Sequence, residues 1–394
     1  MKVRKRTKSL RFYATFRFSI KIAFILPYSE TIYIERKHQM ILLKVAKNDA
    51  GQRFDKYLKR QLKTAQSSFL YKMLRKKNIV LNGKKATGRE LLCENDEVKL
   101  FLSDETYKKF GGVSVGKEPS ETAFDTSAYL TAYHKLKGIQ TIFENEHVLI
   151  LNKPAGILSQ KAEPADFSAN EWLIGYLLET GSLSLETLLT FKPSVCNRLD
   201  RNTSGLLVCG KTLFGSRYLS SIIKDKSLQK YYYTLTAGTA ELDTRINGWL
   251  CKNAKTNKVT IYERESDIPE HLKESAGYID TSFKSVKTIS TQIGAITLLE
   301  VQLFTGKTHQ IRAQLSAMGY PVIGDRKYGS SKRNKEFYDT GVRNQLLHAY
   351  KLVFPKNSEE CFADLSERTL TCELPTLFER LMTNRPNGRN EVLT

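Results

Sequence analysis

The sequence has no paired motif of the kind that binds metal or forms a disulfide framework. Its six cysteines (Cys93, Cys196, Cys209, Cys251, Cys361 and Cys372) include no C-x-x-C, and its six histidines include no H-E-x-x-H. A zinc ribbon and a disulfide-stapled fold are excluded, so reduced thiols, a cytoplasmic chain and no metal are expected. Long apolar runs are scarce as well. Among the first 39 residues the longest uncharged apolar stretch, 22–26, is too short to span a bilayer. No secretory cleavage pattern follows it, and no membrane association is expected. Acidic residues are in deficit: 62 Lys and Arg against 41 Asp and Glu leave a net charge of +21. Such an excess points to a polyanionic partner, and nucleic acid suits it better than an acidic membrane surface, which would call for a basic helix with a broad apolar face. What is present supports a folded protein. With 41% hydrophobic residues over 394 positions, the chain can build two or three packed domains.

Residues 1–39 interleave Lys2, Arg4, Lys5, Arg6, Lys8, Arg11 and Arg17 with Phe12, Tyr13, Phe16 and Phe18. A transit peptide and an RNA-contacting arm are two readings of this basic extension. The ordinary domain start at Met40-Ile41-Leu42-Leu43 favours a dispensable or non-native extension. From Met40 to Leu102 the pattern is that of a small α/β module. Phe54, Tyr57, Leu58 and Leu62 recur at helical spacing, and a second helix is predicted from Ser67 to Lys77, with Ser67 or Ser68 as its cap. Ile79-Val80-Leu81-Asn82-Gly83-Lys84 then reads as a strand entering a turn. Arg53, Arg75, Lys76, Lys77 and Lys84 are candidate phosphate contacts, because basic residues recur on both helices and the turn. This segment resembles the alpha-L RNA-binding module.

Gly111, Gly112, Gly116, Pro119 and Ser120 lie among mixed charges and suggest a linker over 103–137, ahead of a large α+β domain at 138–385 and a tail at 386–394. The large domain is organised around Asn197-Arg198-Leu199-Asp200-Arg201-Asn202-Thr203-Ser204-Gly205 and the apolar run after it. Asp200 sits between two guanidinium groups beside a turn signal, company that keeps a carboxylate ionised. Taken locally, this favours a structural ion pair. A second polar turn, Thr305 to Arg312, follows the strand Ala295–Phe304, with Thr308 as its expected N-cap. If the two turns face one another, Arg312 is the partner of Asp200.

The stretch 197–205 resembles the H-R-L-D-x-x-T-S-G signature of the RluA-type pseudouridine synthases, which isomerise uridine in RNA. Further segments resemble family motifs in the same order: Asn152-Lys153-Pro154-Ala155-Gly156, Lys230-Tyr231-Tyr232, Gly306-Lys307-Thr308-His309-Gln310-Ile311-Arg312, Pro321 to Asp325, and Leu347-His348-Ala349. The resemblance implies a mixed, mostly antiparallel catalytic sheet, no cofactor, and a basic RNA cleft. It implies Asp200 as the covalent nucleophile, Tyr232 as the pocket aromatic and Arg312 as the aspartate's partner, together the catalytic set. Arg198, Arg201, Lys153, Lys307 and His309 are its implied RNA contacts, with Arg198 filling the gap left by a flipped-out nucleotide. Combined with the alpha-L-like module, it implies the RluC and RluD group acting on large-subunit 23S ribosomal RNA or its assembly intermediate, as a monomer. Three positions depart from the family pattern: Asn197 and Gln314 stand where histidine is usual, and Lys307 where arginine is. The competing reading is a non-catalytic RNA-binding or ribosome-assembly factor on the same fold.

Overall fold

The computed structural model describes residues 34–37, 40–45, 49–110, 125–253 and 258–383. Residues 1–33 and 38–39 of the expected extension, the glycine-rich 111–124 and the expected tail at 386–394 lie outside them. The chain divides into two compact units, Met1–Thr122 and Ala123–Thr394.

In the first unit, strands β1 (Ile34–Lys37), β2 (Met40–Lys44), β3 (Ile79–Leu81), β4 (Lys84–Lys85) and β5 (Glu97–Leu100) form a sheet in the order β1-β2-β5-β3-β4. Strand β1 pairs with β2, so part of the expected extension belongs to this sheet. Helices α1 (Phe54–Gln61) and α2 (Ser67–Arg75) bury Phe54, Tyr57, Leu58, Leu70, Met73 and Leu74. The cap of α2 is Gln66, not Ser67 or Ser68, which already lie inside the helix. Helix α3 (Asp104–Lys109) falls within the stretch expected to link the domains. It forms because Ser103 accepts a bond from the Thr106 N–H and because Tyr107 packs into this unit's core.

The second unit is built on a large mixed sheet. Helix α4 (Ser127–Lys135), also inside the expected linker, packs on α5 (Ala169–Glu179). A Cβ at Gly175 would come within 2.2 Å of the Tyr129 carbonyl, so only glycine lets the two helices approach this closely. Strands β6 (Gln140–Glu144) and β7 (Val148–Lys153) precede α5, and α6 (Leu185–Thr190) and β8 (Ser194–Val195) follow it. Strand β9 (Ser204–Gly210) is buried along its whole length, and α7 (Leu213–Lys224), capped by Thr212, packs on it. Then come β10 (Gln229–Ala237), β11 (Asp243–Lys252), β12 (Val259–Tyr262), β13 (Ala276–Thr291) and β14 (Gly294–Leu303). The chain continues with α8 (Gln310–Ala317), α9 (Ser331–Glu336), β15 (Leu347–Val353), β16 (Thr369–Thr371) and α10 (Thr376–Thr383).

The path through the sheet is β12-β11-β13-β14-β10-β15-β9-β7-β6, with β16 on β15 and β8 on β9. Among the described strands only β9 and β15 pair in parallel; the named pairs around them are antiparallel. This junction is tight. Gly205 has φ +113°, and a Cβ there would stand 2.2 Å from the Ala349 carbonyl. The close approach sets the end of β9, and with it the loop carrying Asp200, against β15. One face of the sheet, with α5 and α8, encloses the largest cluster of apolar side chains, including Leu149, Leu207, Tyr232 and Leu315. No helix among the described residues is long and apolar enough to cross a membrane.

Candidate active site

Asp200 lies in the loop between β8 and β9, and that loop is held from several sides. Ser159 Oγ donates to the Leu199 carbonyl at 2.9 Å and accepts from the Leu199 N–H at 3.0 Å. On the other side of Asp200, the Arg201 carbonyl accepts from Lys153 Nζ at 3.2 Å and from the Gly156 N–H at 2.9 Å. The Thr203 N–H closes a turn on the Asp200 carbonyl at 3.0 Å. Ser204 bonds His348 Nδ1 at 2.8 Å, joining the loop's end to β15. The backbone flanking the carboxylate is therefore held by the side chains of Ser159 and Lys153, and the end of the loop by His348, which limits the positions its oxygens can take.

Arg312, in the first turn of α8, reaches across the cleft to this carboxylate. Its Nη1 donates to Asp200 Oδ2 at 2.7 Å, while Nε and Nη2 donate to Asp325 Oδ2 and Oδ1 at 2.6 and 2.9 Å. The fork is thus locked by a carboxylate that is itself fully buried. Burial alone would raise the pKa of Asp325, but the Arg312 bonds and the N–H groups of Lys327 and Tyr328 outweigh it and hold it below the usual carboxylate range. Burial opposes the charge of Arg312 too, and its two acidic partners more than compensate.

The helix carrying Arg312 begins differently from the expectation. His309, with φ +56°, is its N-cap, and Thr308 is not, because Gln310 Oε1 folds back onto the Lys307 N–H at 3.0 Å and turns the chain one residue later. This left-handed residue aims the His309 ring into the cleft. Nδ1 meets the Tyr328 hydroxyl at 2.9 Å and Nε2 stands 4.0 Å from Asp200 Oδ2. Burial is the largest influence on His309 and lowers its pKa, with Asp200 opposing, so the ring is neutral at neutral pH.

Tyr232 projects from the centre of β10 between Val301 of β14 and Ala349 of β15. The period of two along a strand sends Tyr231 and Tyr233 to the other face, where Tyr233 stacks on Tyr350 at 3.8 Å. Tyr232 is 6% exposed and lines the cleft. Burial raises its pKa, with the charge of Asp200 adding to the effect, so the phenol keeps its proton.

The cleft has a volume of about 830 Å³, and Asp200 is the one carboxylate among its described lining residues. Arg198, Arg201, Lys307 and His309 all line it. Arg198 is exposed, and Arg201 turns toward Asp166 at 3.8 Å, so Arg312 rather than either flanking arginine meets Asp200. Lys224, Lys226 and Lys252 add positive charge that no motif had marked, beside Lys230 of the Lys230-Tyr231-Tyr232 segment; they come from the end of α7, the loop after it and the end of β11.

Lys153 is a correction. It was expected to contact RNA, but it is fully buried and donates to the carbonyls of Pro154, Ile157 and Arg201 at 3.0, 2.8 and 3.2 Å. Burial lowers its pKa to about 7, against the pull of Asp200. It braces the 154–157 turn against the Asp200 loop and offers no surface to a ligand. Two of the departures from the family pattern are structural for a similar reason. Asn197 accepts from the Val208 N–H at 2.8 Å, and the buried Gln314 accepts from the Thr281 hydroxyl at 2.6 Å. In the first unit Arg75, Lys76, Lys77 and Lys84 are exposed, whereas Arg53 spends its fork on Asp55 at 3.1 and 2.8 Å. Asp325 and His348 lie in segments that resemble family motifs but were given no role in the site, and Ser159 was missed altogether; only their contacts show what they do.

The RNA pseudouridylate synthase family matches residues 147–317, from the start of β7 to the end of α8. The chain is 28% identical over 327 residues to the ribosomal large subunit pseudouridine synthase C of Vibrio cholerae, covering 83% of this chain and 92% of that one. The protein of the same name from Rickettsia bellii is 29% identical over 329 residues, with coverage of 84% and 96%. An uncharacterized RNA pseudouridine synthase of Mycoplasma capricolum is 28% identical over 314 residues, with coverage of 79% and 90%. Residues 147–317, whose cleft holds Asp200 and Arg312 2.7 Å apart, are an RNA pseudouridylate synthase domain.

Proposed function

We propose that Asp200 is the nucleophile with which this chain, an RNA pseudouridine synthase, isomerises specific uridines of large-subunit ribosomal RNA. The observation that carries the reading is the Asp200–Arg312–Asp325 array at a cleft whose other charged lining residues are cations. Arg312 pairs with Asp200 without covering it: one N–H engages Oδ2, and Oδ1 is the oxygen offered for attack. The carboxylate adds either to the ribose carbon of the glycosidic bond or to carbon 6 of the base. The carbon–nitrogen bond breaks, the uracil turns, a bond forms from its carbon 5 to the ribose, and the bond to the Asp200 carboxylate breaks to free the aspartate. Loss of the proton from carbon 5 and gain of one at nitrogen 1 balance the reaction, so substrate and product are isomers and no cofactor is consumed.

Tyr232 is the surface against which the uracil turns, held as a phenol by its burial. A base must leave its stack to reach a carboxylate at this depth, at a cost of roughly a few kcal/mol. Arg198, exposed on the loop of Asp200, takes the vacated place in the RNA, and Arg201, Lys307 and neutral His309 contact its backbone. The large-subunit substrate rests on what the relatives are named for and on the basic first unit. A monomer working in the cytoplasm suits both.

The test is pseudouridine mapping across large-subunit ribosomal RNA from cells with the protein, without it, and with Asp200→Asn. The expected result is one or more sites present only with the wild-type protein. The Asp200→Asn protein is expected to bind that RNA normally with no detectable conversion, and full conversion by it would overturn the assignment.

A further inference from the structure

We propose that Arg245 and Phe304 form a stacking platform at the cleft wall for a nucleobase next to the target nucleotide. The proposal rests on the RNA-isomerising function above and extends it to a base that does not react. Arg245 leaves β11 opposite Ser282 of β13. Its Nε and Nη2 donate to Asp280 Oδ1 and Oδ2 at 2.9 and 2.7 Å, which fixes the plane of the guanidinium. The guanidinium carbon lies 4.0 Å from the centre of the Phe304 ring. Phe304 in turn lines the same cleft as Asp200. The ledge is pinned from below, because the Asp280 N–H donates to the hydroxyl of Thr305, the residue after Phe304, at 2.8 Å.

The side chain of Arg245 is nonetheless 58% exposed, while that of Asp280 is 11% exposed. One face of a flat, immobilised cation is thus covered by an aromatic ring and the rest is open. An ion pair with so exposed a partner adds little to stability, so the arrangement is poorly accounted for as a brace between strands. A phosphate is the wrong ligand for it. The fork is already satisfied by Asp280, the pair is close to neutral, and the carboxylate would repel an anion. A nucleobase fits, because guanidinium planes and aromatic rings both stack on bases without needing a free charge. The nearby cleft lysines Lys226, Lys252 and Lys307 supply the backbone contacts that such a base requires on either side.

The experiment uses deproteinised large-subunit ribosomal RNA from cells lacking the protein, with steady-state kinetics and the salt dependence of binding. Arg245→Lys keeps a cation beside Asp280 but has no plane to stack on; Phe304→Leu keeps apolar bulk but removes the ring. Each is expected to raise KM by roughly tenfold, in line with the loss of one stacked base, while leaving kcat within about twofold and the salt slope unchanged. Wild-type KM in both variants overturns the platform and leaves the isomerase function standing. So does a KM rise in Arg245→Ala accompanied by a salt slope smaller by about 0.7 to 0.9, the mark of a phosphate no longer neutralised. A wild-type protein that converts no uridine in this RNA overturns the function and the platform together.

Discussion

Arg312 is shared between two carboxylates of unlike surroundings. Asp325 is fully buried and takes two of its N–H groups; Asp200 is 27% exposed and takes one. The buried partner therefore orients the guanidinium, and the exposed one is left accessible. Removing one member of a buried ion pair leaves the other charge uncompensated, at a cost of about 3–5 kcal/mol. Arg312→Met is expected to destabilise the protein by that amount in urea unfolding and to abolish conversion, whereas Asp200→Asn should unfold close to the wild type. The Asp200–Arg312 contact was legible in the sequence, since two polar turns each end a strand and the order of motifs pairs them. The part played by Asp325 was not. A carboxylate in an Ile-Gly-Asp turn looks like any turn acid until the chain closes around it.

At the level of elements, the site depends on the seam between β7, β9 and β15. Gly205 permits β15 to lie against the loop of Asp200, and Lys153 ties the end of β7 to that loop. The depressed pKa of Lys153, about 7, has a consequence for stability. The unfolded chain carries a lysine of ordinary pKa and binds more protons than the folded chain above pH 7. Stability gained from this site therefore rises with pH from about 7 toward the unfolded lysine value, with a slope of at most about 1.4 kcal/mol per unit. Lys153→Met should remove that slope, so the stability gap between variant and wild type, read from urea midpoints at pH 6.5, 8 and 9, widens as pH rises. Periodicity located helices α1 and α2 within a few residues of their observed ends. It did not reveal α3 and α4, each a short helix in a stretch whose glycines and mixed charges read as a linker; their apolar contacts, Tyr107 and Ala132, become visible only as packing.

For the whole molecule, net charge and two units frame the substrate. Arg75, Lys76, Lys77 and Lys84 are exposed on the first unit. Replacing all four by Gln should weaken binding to large-subunit ribosomal RNA uniformly and reduce the slope of log K against log salt by about 0.7 to 0.9 for each phosphate that these side chains neutralise, with kcat unchanged at saturating RNA. An unaltered slope would remove this face from the RNA path. Net charge, an additive property, was enough to indicate an RNA-directed protein, and the order of family-like motifs was enough to imply an acid, a pocket aromatic and a basic partner. Burial and pairing are neither local nor additive. Whether Lys153 meets RNA or carbonyls, whether Arg312 serves one carboxylate or two, and whether Arg245 packs on Phe304 depend on which distant segments exclude water from one another. That is settled only when β9 docks on β15 and the cleft takes shape.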